Sequence, residues 1–386
     1  MKRVINKSSL IISAMLLSLC GASCAGKSGQ KNQSDGEGVD SALTVKPKYA
    51  KGFSVKYLAD GTALVDISDP EGRQAQTFHF ALFKKGASAT VPQGYAPVET
   101  PVRSVVCMTS LQLSNFIKLG LTDLVTGITS TRHLHNARMK KQLKDGTTHK
   151  IGIEGNFDNE VIMALDPDII LISPFKRGGY DALRNIEKPL MPHLGYKELS
   201  PLGQAEWIKL VGMLTGHERQ ANDIFAGIEK RYNHLKALTD TVRRRPLVFS
   251  GQMEGGHWYA VGGRSFLANI FRDAGGDYFL RDNKESGGVN IDYEKVYDQA
   301  ANADYWRIVN SFDGNFTYDD LCGIDSRYAD FKAFRKHGVI YCNMKQVPFY
   351  ESMPVEPEEV LADFIQVFHP GLLPADRKPR YYHLLK

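Results

Sequence analysis

Residues 21–28 read G-A-S-C-A-G-K-S and match the phosphate-cradling pattern G-x-x-x-x-G-K-[ST] in every letter. Such a loop works only between a strand and a helix, whose first N–H groups face the phosphates. Here an apolar run precedes it and a Gly/Ser/Gln/Asp stretch, 26–41, follows, so nucleotide chemistry has no frame. The same stretch carries Cys24, a thiol open to acylation. A second set of residues falls just after apolar runs: Thr109, Ser110, Arg132, His133, Phe175, Lys176, Arg177, Trp258, Tyr259, Arg264, Phe349 and Tyr350. Aromatic rings give large apolar contact at low entropy cost, and Arg and Lys suit anionic oxygen groups. That is chemistry for holding a ligand. The chain has no G-x-S-x-G elbow, no H-E-x-x-H, no C-x-x-C and no carboxylate pair marked as acid and base. His133 and His135 are two apart in a loop rather than four apart on a helix. No resident metal or cofactor is expected, and no catalytic residue.

The N-terminus explains the first set. Lys2, Arg3 and Lys7 precede the apolar run 10–19, and Gly21, Ala22 and Ser23 are small. That is the order of a secretory signal, and the run is too short to span a bilayer. The arrangement resembles a bacterial lipoprotein signal ending at Cys24, which would receive the lipid. Removing the three signal cations from the net charge of +5 leaves +2, too little for nucleic-acid binding. The expected divisions are a signal over 1–23, a flexible tether over 24–49 and an N-terminal β segment over 50–100. A first lobe over 101–215, a bridging helix over 216–245 and a second lobe over 246–386 follow.

The elements that must position the second set follow a β-then-α grammar. SVVCM (104–108) and DIILIS (168–173) are apolar runs without polar alternation, as expected of parallel strands covered on both faces. GFSVKYL and TALVDI flank Asp60-Gly61, a hairpin signal. Residues 218–242 have no Pro and carry an apolar stripe from Ala221 to Leu238. After RRRP (243–246) the grammar restarts with LVFSG, a Gly/aromatic loop QMEGGHWYAVGGRS, then DYWRIV and GVIYCN as strands. Glu160 and Glu294 open short helices at equivalent places in the two blocks. The expected fold is α/β: two Rossmann-like lobes joined by one long rigid helix, with an N-terminal β-hairpin segment. Ligands of open α/β sheets bind beyond the carboxyl ends of the strands, and clefts between domains favour pockets. Cys322 and Cys342 are a candidate pair after export, which spacing alone cannot bring within bonding distance.

Five stretches carry a family resemblance: RSVVCMTS, GIEGNFDNEVIMALDPDIILI, YKELSPLGQAEWIKLVGML, HWYAVGGRSFLANIFRDAGGDYFL and EEVLADFIQVFHPGLLP. Over about Val105 to Phe368 the chain resembles the substrate-binding lipoproteins of bacterial ABC importers for iron complexes and cobalamin. The last three stretches are similar to a Bacteroidetes-type branch, with Gln204 in place of Arg. The resemblance implies a carrier that holds a siderophore, haem or corrinoid between its lobes and delivers it to a dimeric permease. It implies docking through one acidic residue per lobe, at Glu160 and Glu294. Ligand contacts would come from Thr109, Ser110, His133, Phe175, Lys176, Trp258, Tyr259, Arg264 and Tyr350. The protein would be exported, lipid-anchored and periplasm-facing, with no nucleic-acid partner. Two other readings are a surface lipoprotein feeding an outer-membrane receptor and an exported α/β hydrolase or chelatase. The sequence gives no chemistry to the 50–100 segment beyond bracing the first lobe.

Overall fold

A computed structural model describes residues 43–386 except 130, 154, 175–179 and 184. The signal, Cys24, Phe175, Lys176 and Arg177 therefore lie outside the described residues. The first lobe is built on five parallel strands in the order Leu190–Pro192, Ile169–Ile172, Val105–Cys107, Val125–Ile128 and His149–Lys150. Val105, Val106, Cys107, Ile169, Ile170 and Leu171 are all buried, which is why these strands read as continuous apolar runs. The central strand hands over to the helix Ser110–Leu119, which stops at Gly120 with φ 73°. Glycine adopts that left-handed turn without a Cβ penalty.

The second lobe repeats the plan. Asp277–Tyr278, Leu247–Ser250, Tyr305–Asn310 and Val339–Asn343 are parallel neighbours, and His383–Leu384 closes the far edge antiparallel. The α/β two-lobe architecture expected from the sequence is present. Between the lobes runs the 22-residue helix Glu218–Thr239, about 33 Å long at 1.5 Å per residue. Its buried stripe of Ala221, Phe225, Ile228 and Tyr232 packs on Ile208–Thr215 of the first lobe and on the late helix Pro357–Phe368. The Tyr232 hydroxyl donates to Asp273 at 2.8 Å, and Arg231 meets Glu358 at 2.5 Å.

The N-terminal segment forms a four-stranded sheet, Phe53–Tyr57, Ala63–Ser68, Thr77–Lys84 and Ala96–Thr100, with only the last pairing parallel. The fourth strand falls in a Gly/Pro/Ala-rich stretch that has no strand signal of its own. Two buried carboxylates clamp the chain leading into this sheet. Glu206 accepts the N–H groups of Lys48, Tyr49 and Ala50 at 2.6–2.9 Å and the Lys209 ammonium at 2.6 Å. Glu198 accepts the N–H groups of Lys51 and Gly52 and the Trp207 indole at 2.8–3.0 Å. Phe53 packs edge-on to Trp207 with ring centroids 4.9 Å apart. The segment braces the first lobe.

One expectation is overturned here. QMEGGHWYAVGGRS is not one loop: Gln252–Glu254 and His257–Val261 pair as a hairpin that Gly288–Ile291 extends. Gly255 and Gly256 have φ 58° and 87°, the double left-handed turn that matches strand twist. Cys107, Cys322 and Cys342 all carry free thiols, so the candidate Cys322–Cys342 pair is not formed.

Candidate functional site

The lobes meet along the segment that follows the strand Val339–Asn343. Its short helix Phe349–Ser352 and the turn Met353–Val355 pack on the helix Ser110–Leu119 of the first lobe. Beside this contact lies a cavity of about 340 Å³, at the small end of ligand sites. Tyr196 and Leu199 line it from the first lobe, and Val261, Phe266 and Arg307 from the second. Phe349, Met353 and Tyr382 come from the C-terminal region, and Glu71 from the N-terminal sheet. Four parts of the chain far apart in sequence thus share one space.

Strand alternation explains how Arg307 reaches it. Trp306 and Ile308 point into the apolar cluster around Phe249, Trp258 and Phe331, so the residue between them points the other way. Arg307 is 7% exposed. Its Nη2 donates to the Tyr382 hydroxyl at 2.6 Å, and the guanidinium carbon sits 5.2 Å from that ring's centroid. Its Nε is buried and meets no acceptor among the described residues. Tyr382 is delivered by Asp363, whose buried carboxylate accepts the N–H groups of Arg380, Tyr381 and Tyr382 at 2.7–3.0 Å and the Arg377 guanidinium at 2.7 Å.

A second groove, of about 360 Å³, lies between the same helices and takes in Lys118, His135, Glu351, Glu356 and Arg380. Its charges are already matched: Lys118 and Arg380 pair with Glu356 at 3.0 and 3.4 Å. Its electrostatics are those of a strut between the lobes.

The sequence-expected residues divide. His133 and Tyr350 come together across the lobes, ring centroids 5.8 Å apart, with His133 Nε2 3.5 Å from the Ser311 hydroxyl. Partial burial, with Arg132, His135 and Lys345 nearby, lowers the His133 pKa. Burial raises the Tyr350 phenol. Thr109 lines a narrow recess with His193 and Tyr196, and Tyr196 also lines the main cavity. Ser110, beside it, is half-buried in the first helical turn. Trp258 does not line the site: it is fully buried against Phe249, Trp306 and Phe331 at centroid distances of 5.6–5.9 Å. Hairpin alternation turns its neighbour Tyr259 outward, 46% exposed, on the strand face that carries Val261. The Arg264 side chain is exposed, and the cavity is lined instead by Val261, Ser265, Phe266 and Leu267 of the same stretch. Glu160 and Glu294 are both exposed in the first turns of Asn159–Leu165 and Tyr293–Ala300.

Sequence reasoning passed over Tyr196, Arg307, Met353 and Tyr382. Only Arg307 left a signal, a charge inside an apolar strand. Tyr382 lies in a closing stretch without periodicity.

A family model described as periplasmic binding protein matches residues 105–345. An uncharacterized lipoprotein of Methanocaldococcus jannaschii is 27% identical over 60% of this chain. The chain spans 55% of that relative's length. A periplasmic binding protein from Veillonella parvula superposes with TM-score 0.60 at 16% identity, covering 80% of this chain and 98% of its own. A periplasmic heme binding protein from Pseudomonas aeruginosa gives 0.58 at 16% identity, covering 74% and 98%. At these identities the structural likeness shows a shared fold.

Proposed function

The chain belongs to the periplasmic binding protein family, and on that premise we propose that it is the substrate-binding lipoprotein of an ABC importer. It captures an iron complex (a siderophore or haem) or cobalamin between its lobes and delivers it to a dimeric permease. The observation that carries this reading is the inter-lobe cavity itself. It combines aromatic walls, Tyr196, Phe349 and Tyr382, with one buried cation, Arg307. A large chelate would enter by parting of the lobes, since the space measures only about 340 Å³. The long helix Glu218–Thr239 limits that motion, because its buried stripe is packed against helices on both sides.

Docking is assigned to Glu160 and Glu294. Each is exposed and opens a short helix in its own lobe, and a two-lobe carrier meeting a twofold permease needs one contact per lobe. The anchor is assigned to Cys24 and the site of action to the periplasmic face. The lipoprotein relative and the haem-binding structural neighbour support the anchor and the ligand class.

Uptake tests this reading. Cells expressing the chain with its permease take up haemin-bound or siderophore-bound iron. The double change Glu160→Ala, Glu294→Ala cuts uptake at least tenfold on the order of one lost ion pair per lobe, with ligand affinity intact. Unchanged uptake removes the docking assignment. Cys24→Ser releases the protein from the membrane fraction; a variant that stays bound removes the anchor.

A further inference from the structure

We propose that Arg307 is an anion subsite of the inter-lobe cavity, and that the ligand presents a deprotonated oxygen group to it. The proposal rests on the carrier reading for the role of the cavity and adds the chemistry of one end of the cargo.

A guanidinium in the middle of a sheet is costly to bury without a counter-charge. The other charges lining this cavity are already matched. Lys197 pairs with Asp69 at 2.8 Å, and Glu71 pairs with Arg73 at 3.0 Å. Glu198 is held by two backbone N–H groups and the Trp207 indole. Arg307 meets no carboxylate among the described residues. Among the described residues its side-chain partner is the Tyr382 phenol, which burial keeps neutral by raising its pKa. The Tyr382 ring lies against the guanidinium and orients a planar fork suited to oxygen anions. The Nε–H group meets no acceptor among the described residues.

Anchoring the C-terminal segment does not need this arginine. Asp363 already holds the backbone of residues 380–382 through three N–H groups. What remains is a preorganised cation, held by Tyr382 but matched by no carboxylate among the described residues, facing a cavity of about 340 Å³. The anionic oxygen could belong to a carboxylate on a larger chelate or to a free oxyanion, and the test separates the two.

Arg307→Met removes the charge at similar length, and Arg307→Lys keeps the charge without the fork. Wild type and both variants are titrated with haemin, haemin dimethyl ester, ferric citrate and molybdate. The expected result is wild-type binding of an anionic probe, weakened roughly tenfold to a hundredfold in Arg307→Met, the size of one charged hydrogen bond. Arg307→Lys falls between. Preference for haemin over its dimethyl ester, or for ferric citrate, assigns a carboxylate; preference for molybdate assigns a free oxyanion. If an anionic probe binds Arg307→Met as tightly as wild type, the subsite is overturned while the carrier reading stands.

Thermal unfolding without ligand separates a binding role from a structural one. The proposal requires Arg307→Met to unfold no more than about 4 °C below the wild-type temperature, because a buried uncompensated charge has been replaced by an apolar chain. A fall of more than about 4 °C makes Arg307 a structural residue and overturns the proposal. Failure of all four probes to bind wild type overturns the subsite together with the carrier's ligand class, whereas tight binding that ignores Arg307→Met overturns the subsite alone.

Discussion

Arg73 and Glu285 form a 3.0 Å ion pair that joins the N-terminal sheet to the second lobe. Arg73 also holds Glu71, and Glu285 precedes Ser286; both of those neighbours line the inter-lobe cavity. The brace on the first lobe therefore reaches across to the other lobe at the rim of the site.

Both partners are about half exposed, so the pair is weak and screened. A double-mutant cycle on Arg73→Ala and Glu285→Ala gives a small coupling at low salt. It disappears by about 1 M NaCl, where the Debye length is about 3 Å. A coupling that persists at high salt contradicts a solvent-screened latch.

Trp258 and Tyr259 are neighbours with opposite fates. Trp258→Ala removes a fully buried indole and costs about 3–5 kcal/mol, seen as a lower urea midpoint. Tyr259→Ala, on the exposed face, costs under about 1 kcal/mol. The reverse order would mean that the hairpin alternation is assigned the wrong way round.

The clamp at Glu206 is expected to be strong. Its buried carboxylate holds three backbone N–H groups and the Lys209 ammonium. Glu206→Gln leaves donors facing donors and costs about 3 kcal/mol or more. Hydrogen exchange of the amides of residues 48–50 rises while the first-lobe strands stay protected. Unchanged protection at 48–50 contradicts the brace.

His193 supplies a pH dependence. Burial lowers its pKa to about 4 from 6.5, so the folded state resists protonation more than the unfolded one does. Its contribution is fully present above about pH 6.5 and is lost as pH falls towards 4. The size is about 3 kcal/mol from 1.36 kcal/mol per unit. His193→Gln flattens the loss of stability over that window; wild-type acid sensitivity in the variant contradicts the assignment.

Much of the fold was legible because parallel strands announce themselves. Runs such as DIILIS have no polar alternation, and helices end at Gly120 and Gly216 in left-handed turns. The site was less legible. Position after a strand suggests position in the cleft; His133 and Tyr350 do meet, ring centroids 5.8 Å apart, but neither lines the Arg307 cavity. The same rule misled for Trp258, because a two-residue Gly-Gly turn made a hairpin whose alternation buried the indole. The cavity wall at Tyr382 depends on Asp363 gathering a non-periodic C-terminal stretch, a contact between residues with no common local pattern. Arg307 is the one charge in its strand Tyr305–Asn310, and it falls on the cavity wall.

The central claim is that this chain binds a chelate or tetrapyrrole between its lobes. Equilibrium titration of the purified protein with haemin, cyanocobalamin and a ferric siderophore, followed by tryptophan fluorescence, tests it most directly. The account predicts saturable one-to-one binding of at least one of them, weakened when Phe349 or Tyr196 is changed to Ala. No saturable binding of any of the three, or binding indifferent to both changes, would contradict it.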